Sequence, residues 1–489
     1  MARHLISLTL VALALLAGRA AAEVELGTPF SDDMMVQMDR AIPVWGTAKA
    51  GAAVTVRMAE AAAEATADEE GYWRVELPAV AEAGPYELVV EADGSEAVRL
   101  TNVLAGDIWL CSGQSNMAWA VERTDSASWA IPNAADSDIR LLKVRRQSAT
   151  EPVERIDATW AEAAPNTVRY FSAVGYHFGR QVHAETGRPI GLIDASWGGS
   201  AIHAWLPDET LRRYDDYDQL REMVARRTAR AEEAFREWDE GGREGRRPGL
   251  NGGGPQHQLA ALHNGMTHPL GAMPIRGVLW YQGEADAGNP DRYKVLFPEL
   301  VDAWRSQFGD DELPVYFVQL TAFGRSGEDV WRRFRETQRE LADLDHVEMA
   351  VSIDVGDETD IHPTNKQPVG ERLARFALRD VYGQAVMADY PIPTSVAAQD
   401  DGSVRLTYDH VGDGLRLLEG DDVLGFVLVD ADGKTHDATA QLVGPDSIVL
   451  SAEGVTEPAL VRYAFSPAPA VNLVNSEDLP AVPFEMAVD

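Results

Sequence analysis

Val103-Leu-Ala-Gly-Asp-Ile-Trp-Leu-Cys-Ser-Gly-Gln-Ser-Asn-Met117 is the stretch from which the rest of the chain can be read. Ile108-Trp-Leu-Cys111 is an apolar run that predicts a buried strand, and Ser112-Gly113 supplies the turn chemistry that ends it. Gln114-Ser-Asn116 follows, small and polar, before Met117-Ala-Trp119 turns apolar again. A serine on a tight turn at the end of a buried strand sits where ligands bind in open α/β sheets, and Gly113 lets the backbone bend there. The same pattern fits a serine that merely caps a helix. The rest of the chain must therefore supply a base and an oxyanion site.

Outward from this stretch the pattern changes twice. Residues 23–104 read as short alternating β runs, such as Ala53-Val-Thr-Val-Arg57 and Tyr72-Trp-Arg-Val-Glu-Leu77, punctuated by glycines. They predict a small sandwich-like domain. Residues 105–388 alternate strands with amphipathic stretches, which predicts an α/β domain with a largely parallel sheet covered on both faces. The expected strands are Asp107–Cys111, Ile139–Val144, Ile190–Ala195, Gly277–Tyr281, Val315–Leu320 and Glu348–Ile353. A charged helical insertion with glycine runs interrupts them at about 208–254. Residues 389–489 return to short strands and Asp-Gly turns. They form either a C-terminal β domain or the completion of the N-terminal one.

A chain of 489 residues calls for two or three domains, and 45% hydrophobic with 25% charged residues supports folded cores. A net charge of −35 disfavours nucleic acid or an anionic membrane as partner. Residues 1–22 have the form of a secretory signal peptide: Arg3 and His4, an apolar run from Leu5 to Ala17, then Ala20-Ala-Ala22. The run falls short of the roughly 20 residues of a membrane span. A secreted or periplasmic protein is expected, with no membrane span after cleavage and with no oligomeric state specified. Cys111 is the single cysteine, so no intrachain disulfide forms. Inside an apolar strand it reads as an inert buried thiol. No His-Glu-x-x-His, paired-cysteine or dinucleotide pattern occurs, so no metal or cofactor is expected.

Three further strand ends carry polar chemistry. Trp197-Gly-Gly-Ser200 can offer backbone N–H groups at close range. Trp280-Tyr-Gln-Gly-Glu284 brings an amide and a carboxylate to the same rim. Asp354-Val-Gly-Asp-Glu-Thr-Asp-Ile-His-Pro363 is acid-rich and ends in a histidine placed to act as base.

Together these stretches resemble the SGNH (GDSL-like) hydrolases, and within them the sialate O-acetylesterase-like carbohydrate esterases. Gly113-Gln-Ser-Asn-Met117 is similar to the nucleophile block, Trp197-Gly-Gly-Ser200 to the glycine block and Gln282-Gly-Glu284 to the third block. Asp360-Ile-His-Pro-Thr-Asn-Lys366, with Val369-Gly-Glu-Arg-Leu-Ala374, is similar to the histidine block. Phe171–Tyr176, Asn264-Gly-Met266, Leu473–Pro480 and the opening Phe30–Gly46 also fit, so the resemblance spans nearly the whole chain after residue 22. It implies a three-layer α/β/α central domain and cofactor-free hydrolysis of acetyl esters on sugars. Ser115 is then the nucleophile, His362 its base, and the oxyanion hole is built from the N–H groups of Ser115 and Gly199 with the side-chain amide of Gln282. Gln282 stands where the wider group has Asn.

Many SGNH enzymes carry an Asp three residues before the histidine; Thr359 holds that position here. Asp360, Asp357 and Glu284 are the alternatives. Pro363 biases His362 toward an extended conformation, in which residues two apart share a side, so Asp360 is preferred and Glu284 stands second. An O-acetylated carbohydrate is the expected partner, sialate first. Acetylxylan or another polysaccharide remains an alternative served by the same blocks. A non-catalytic sugar-binding protein using some of the twelve tryptophans is the third reading.

Overall fold

The structure, a computed structural model, describes residues 24–249, 252–325 and 327–489; the leader-like residues 1–22 lie outside them. Its organising element is the strand β1, Ser95–Gly113, nineteen residues long and far longer than the expected Asp107–Cys111. The excess has a use. Ser95–Val103 pairs antiparallel with Tyr86–Ala92, and Leu104–Gly106 pairs parallel with Met35–Gln37. Asp107–Gly113 then lies between two parallel neighbours. Burial changes along the strand in step, from a broken pattern to every residue buried from Val103 onward. That is the signature of a strand covered on both faces. One strand thus leaves the N-terminal β region and becomes the middle of the central sheet.

The other central strands are β2 (Asp136–Lys143), β3 (Trp160–Ala163), β4 (Ile190–Ser196), β5 (Gly277–Tyr281), β6 (Val315–Val318) and β7 (Val347–Ala350). Their order is β3-β2-β4-β1-β5-β6-β7, all parallel except β3, which runs antiparallel to β2. The short β3 was not expected from the sequence. The chain builds one side of β1 first and then crosses to the other at β5. Loops leaving β4 and β5 therefore part on either side of β1, and a cleft opens at the carboxyl ends of the strands.

Among the described residues five long helices accompany the sheet: α1 (Ala173–Thr186), α2 (Tyr217–Glu240), α3 (Pro290–Phe308), α4 (Glu328–Leu341) and α5 (Gln367–Asp380). Local chemistry sets their ends. The Ser172 hydroxyl accepts from Gly175 N–H at the start of α1, and Gly187 closes it in the left-handed conformation. Asn289, Pro290 and Gly309 do the same for α3. Neighbouring residues on β6 face opposite ways: Tyr316 meets Phe376 of α5, whereas Phe317 meets Phe297 of α3. Likewise Trp109 packs on Phe178 of α1, and Trp280 on Trp304 of α3. Helices therefore lie on both faces of the sheet. No helix among the described residues is long and apolar enough to cross a membrane.

Strands of residues 392–487 pair only among themselves, in two four-stranded sheets and a short two-stranded ladder. Among the described residues none pairs with the N-terminal strands, which separates the two β regions in hydrogen bonding. Arg335 of α4, fully buried, donates to the carbonyls of Ala464, Ser466 and Pro467 and so fastens the C-terminal region to the central one. Trp73, Trp109, Trp160, Trp205, Trp280 and Trp304 are all core residues, which removes them as sugar platforms.

Candidate active site

The cleft is sewn together from the ends of β1, β4, β5 and β7. Gly113 has φ +131°, and a Cβ there would lie 2.3 Å from the Tyr281 carbonyl, so only glycine permits the turn after β1. Gln114 N–H donates to that same carbonyl at 2.9 Å, and the Gln114 side-chain oxygen accepts from Ala285 N–H. Trp197 N–H donates to the Gly113 carbonyl at 3.0 Å. Gly198 packs so close to Ser115 that its added Cβ would sit 3.3 Å from the serine Cβ. The nucleophile, glycine and third blocks are thus held by backbone hydrogen bonds.

Ser115 Oγ and His362 Nε2 are 2.8 Å apart, 247 residues distant in sequence. The hydroxyl donates when the ring carries its proton on Nδ1. Burial draws the His362 pKa below its ordinary value; the Asp360 charge opposes this, and Lys366 and Arg123 add to it. The ring stacks on Trp119 at 5.0 Å and 15°, and the Arg123 guanidinium lies 3.6 Å from the centre of that indole. Neither Trp119 nor Arg123 was singled out from the sequence.

Of the three acids weighed for His362, Asp360 comes nearest. Its Oδ1 accepts from the His362 backbone N–H at 2.9 Å and stands 3.6 Å from Nδ1, an ion-pair separation longer than a hydrogen bond. Asp357 caps its own turn, accepting from Thr359 N–H and Oγ1 and from Asp360 N–H. Glu284 is engaged by Asn116 rather than by the histidine. The Asn116 amide also donates to the Ile361 carbonyl at 3.0 Å, and its oxygen accepts from Lys366 Nζ. A buried carboxylate and a buried ammonium are therefore bridged through Asn116, the residue next to Ser115. Burial raises the Glu284 pKa and pulls Lys366 down to about 7. Asn116 and Lys366 belong to the quoted blocks, but their joint role needed the fold.

Two of the three expected oxyanion donors are free. Among the described residues, neither Ser115 N–H nor Gly199 N–H has an acceptor, and Gly199 takes φ +75° in its turn. Gln282 differs from expectation. Its amide nitrogen donates to the Ser200 carbonyl at 3.1 Å and to Asp286 Oδ2 at 2.5 Å, and the side chain is wholly buried. With both hydrogens committed it has none for an oxyanion, and it does not line the cleft. Asp286, held also by Ile202 N–H, has its pKa raised to about 6 by burial.

The cleft measures about 690 Å³ and is lined by Ser115, Gly199, Glu284 and His362 together with Arg227 and His257. A slightly larger one, about 730 Å³, lies between Trp45, Tyr72 and Glu299 and contains none of the block residues. Among the described residues, Asp136, Asp138 and His183 bring three potential metal-ligand atoms within 4.8 Å of one another, away from the Ser115 cleft. Cys111 is buried, with its thiol pKa pushed well up, as expected of an inert core residue.

Comparison with known proteins defines the class. Residues 105–242 and 251–379 match the family described as carbohydrate esterase, sialic acid-specific acetylesterase. The chain belongs to that family and is a carboxylic ester hydrolase of the sialate O-acetylesterase-like kind. It is 30% identical to mouse sialate O-acetylesterase over 416 residues, 75% of each chain. It is also 30% identical to the human enzyme over 424 residues, 77% of this chain and 75% of that one. A crystal structure of a carbohydrate acetylesterase from Xanthomonas citri superposes with a TM-score of 0.82 at 34% identity, covering 95% of this chain and 99% of the other.

Proposed function

We propose that this enzyme removes O-acetyl groups from carbohydrates, sialate first among them, through an acetyl-enzyme on Ser115. The observation that carries the reading is the 2.8 Å contact of Ser115 Oγ with His362 Nε2 at the mouth of a cleft where two backbone N–H groups stand free. His362 takes the serine proton as Oγ bonds to the acetyl carbonyl carbon. The N–H groups of Ser115 and Gly199 hold the developing oxyanion, typically worth a few kcal/mol per donor. Collapse breaks the bond to the sugar oxygen, which leaves with the proton from His362. Water then attacks in the same way and releases acetate. Asp360 steadies His362 as a charge and through its backbone, and Glu284 acts through Asn116.

The parallel sheet with helices on both faces supports an SGNH-type three-layer central domain at 105–388, flanked by β domains at 23–104 and 389–489. The apolar leader supports secretion or delivery to a periplasm. Acetylxylan or a similar polysaccharide is the second reading, favoured by the near full-length match to a protein described only as a carbohydrate acetylesterase.

Ser115→Ala is expected to lose on the order of 10⁶-fold in kcat while keeping its circular dichroism and melting behaviour. Quenched-flow mass spectrometry of the wild type should find a transient acetyl group on the Ser115 peptide. Wild-type turnover by the alanine variant would end the proposal.

A further inference from the structure

Among the described residues, Arg227 of the insertion helix α2 lines the catalytic cleft without an ion-pair partner. Leu220, Val224 and Ala231 are the buried residues of that helix. With Arg227 they recur at i, i+4, i+7 and i+11, the spacing of a single helical face. Arg227 shares the angular position of this stripe but, unlike the other three, is exposed, because at this turn the stripe runs out over the open cleft. It lines the Ser115 cleft and also the adjoining cavity of about 420 Å³. Thr228, its neighbour, accepts from the Gln258 amide at 2.7 Å, which holds this turn of the helix against the body. Gly252 leaves room for the guanidinium: a Cβ there would come within 3.3 Å of the Arg227 side chain.

Charge balance around Arg227 is incomplete. Arg221, Arg226 and Arg236 each pair with an acid one turn away on the same helix. The positions one turn from Arg227 are Met223, Val224, Arg230 and Ala231, none of them acidic. Among the described residues Arg227 has no ion-pair or hydrogen-bond partner for its side chain. Asp286 feels the Arg227 charge, but its hydrogen bonds go to Gln282 and Ile202, and Glu284 bonds to Asn116, so neither carboxylate closes an ion pair with the guanidinium. On a chain of net charge −35, an arginine at the cleft with no ion pair of its own leaves a positive charge open to an incoming anion. A guanidinium presents a planar fork of donors that fits a carboxylate in bidentate fashion.

We propose that Arg227 is a specificity-determining residue that binds the carboxylate of an acidic O-acetylated sugar while the acetyl group lies against Ser115. This rests on the carbohydrate acetylesterase reading and narrows it to sugar acids. A sialic acid and a uronic acid carry the same chemistry.

The test compares matched substrates: an O-acetylated sialic acid and its methyl ester, and an O-acetylated glucuronic acid and its methyl ester. Esterification removes the charge and leaves the acetyl group in place. The wild type is expected to prefer at least one acid over its ester in kcat/KM. Arg227→Gln should lower that preference by about 10- to 100-fold, the scale of a charge-assisted hydrogen bond, mainly through KM. Arg227→Lys should restore part of it, and raising salt should erode it in the wild type. A preference seen with only one pair identifies the source of the carboxylate. Equal rates on acid and ester, or a preference that survives Arg227→Gln, overturns the assignment and leaves the acetylesterase reading standing. Failure of the wild type to deacetylate any of the four sugars overturns both.

Discussion

His362 concentrates the residue-scale question, because its surroundings pull its proton affinity in opposite directions. Burial, Lys366 and Arg123 lower it, and Asp360 raises it. A base with a lowered pKa is unprotonated over more of the neutral range. The pH profile of kcat/KM should therefore rise and level off with a midpoint below the ordinary 6.5 of histidine. Asp360→Asn removes a charge that favours imidazolium, so the midpoint moves lower still. Arg123→Gln removes a charge that opposes it, so the midpoint moves up. The fall in kcat for Asp360→Asn should stay well short of the roughly 10⁴-fold linked to a buried triad aspartate, since this carboxylate is exposed and 3.6 Å from Nδ1. Glu284→Gln acts through Asn116 and is expected to lower kcat with little movement of the midpoint. Equal midpoints in the Asp360 and Arg123 variants would refute this electrostatic account.

At the scale of elements, β1 and the turn after it decide whether the site exists. The strand's second half is buried on both faces, so its position in the sheet is strongly specified. The turn tolerates no side chain at Gly113, where a Cβ would strike the Tyr281 carbonyl and φ is positive. Gly113→Ala is expected to cost more than about 2 kcal/mol, read as a lowered urea midpoint, together with most of the activity. Gly288→Ala makes the control: an added Cβ there meets nothing within 4 Å, and the expected change is within about 0.5 kcal/mol. Equal midpoints for the two variants would show that the turn relaxes more freely than its contacts indicate.

Across the whole molecule, Asp107 is the node at the amino end of the central half of β1. Fully buried, it accepts from Gln37 at 2.8 Å, from Arg188 and Arg276 at 2.6–2.7 Å, and from the Tyr382 hydroxyl at 3.1 Å. Four distant segments meet there, one of them from the N-terminal β region. Burial raises the Asp107 pKa, but Arg276 and Arg188 with the Gln37 amide outweigh it and hold the carboxyl below its ordinary range. A lowered folded-state pKa means stabilisation that is present above the unfolded value, near 4, and lost as pH falls through the folded one. Asp107→Ala should cost about 3 kcal/mol, because two partly buried guanidinium groups lose their counter-charge. Urea unfolding at pH 7 and pH 4 measures both effects, and the variant should show a shallower decline toward acid. A variant as stable as the wild type at pH 7 would remove Asp107 from the scaffold.

Sequence alone determined what repeats locally. Apolar runs ended by turn residues marked five of the six expected central strands to within three residues at either end, and placed Ser115, Gly199 and His362 in the segments that follow strands. Those features depend on the period of the backbone and on the few residues that permit a tight turn, so they survive in one dimension. Tertiary structure decided everything that depends on which hydrogen bonds are already taken. Gln282 reads as an oxyanion donor until Asp286 and the Ser200 carbonyl are seen to occupy its amide. Asp360 shares a side with His362 as its spacing suggested, yet its oxygen reaches the backbone N–H rather than closing on Nδ1. The length of β1, the Arg123–Trp119–His362 stack and the place of Arg227 at the cleft join residues far apart in the chain or on separate loops. Side-chain direction and hydrogen-bond saturation are set by packing between such segments, and no local pattern encodes them.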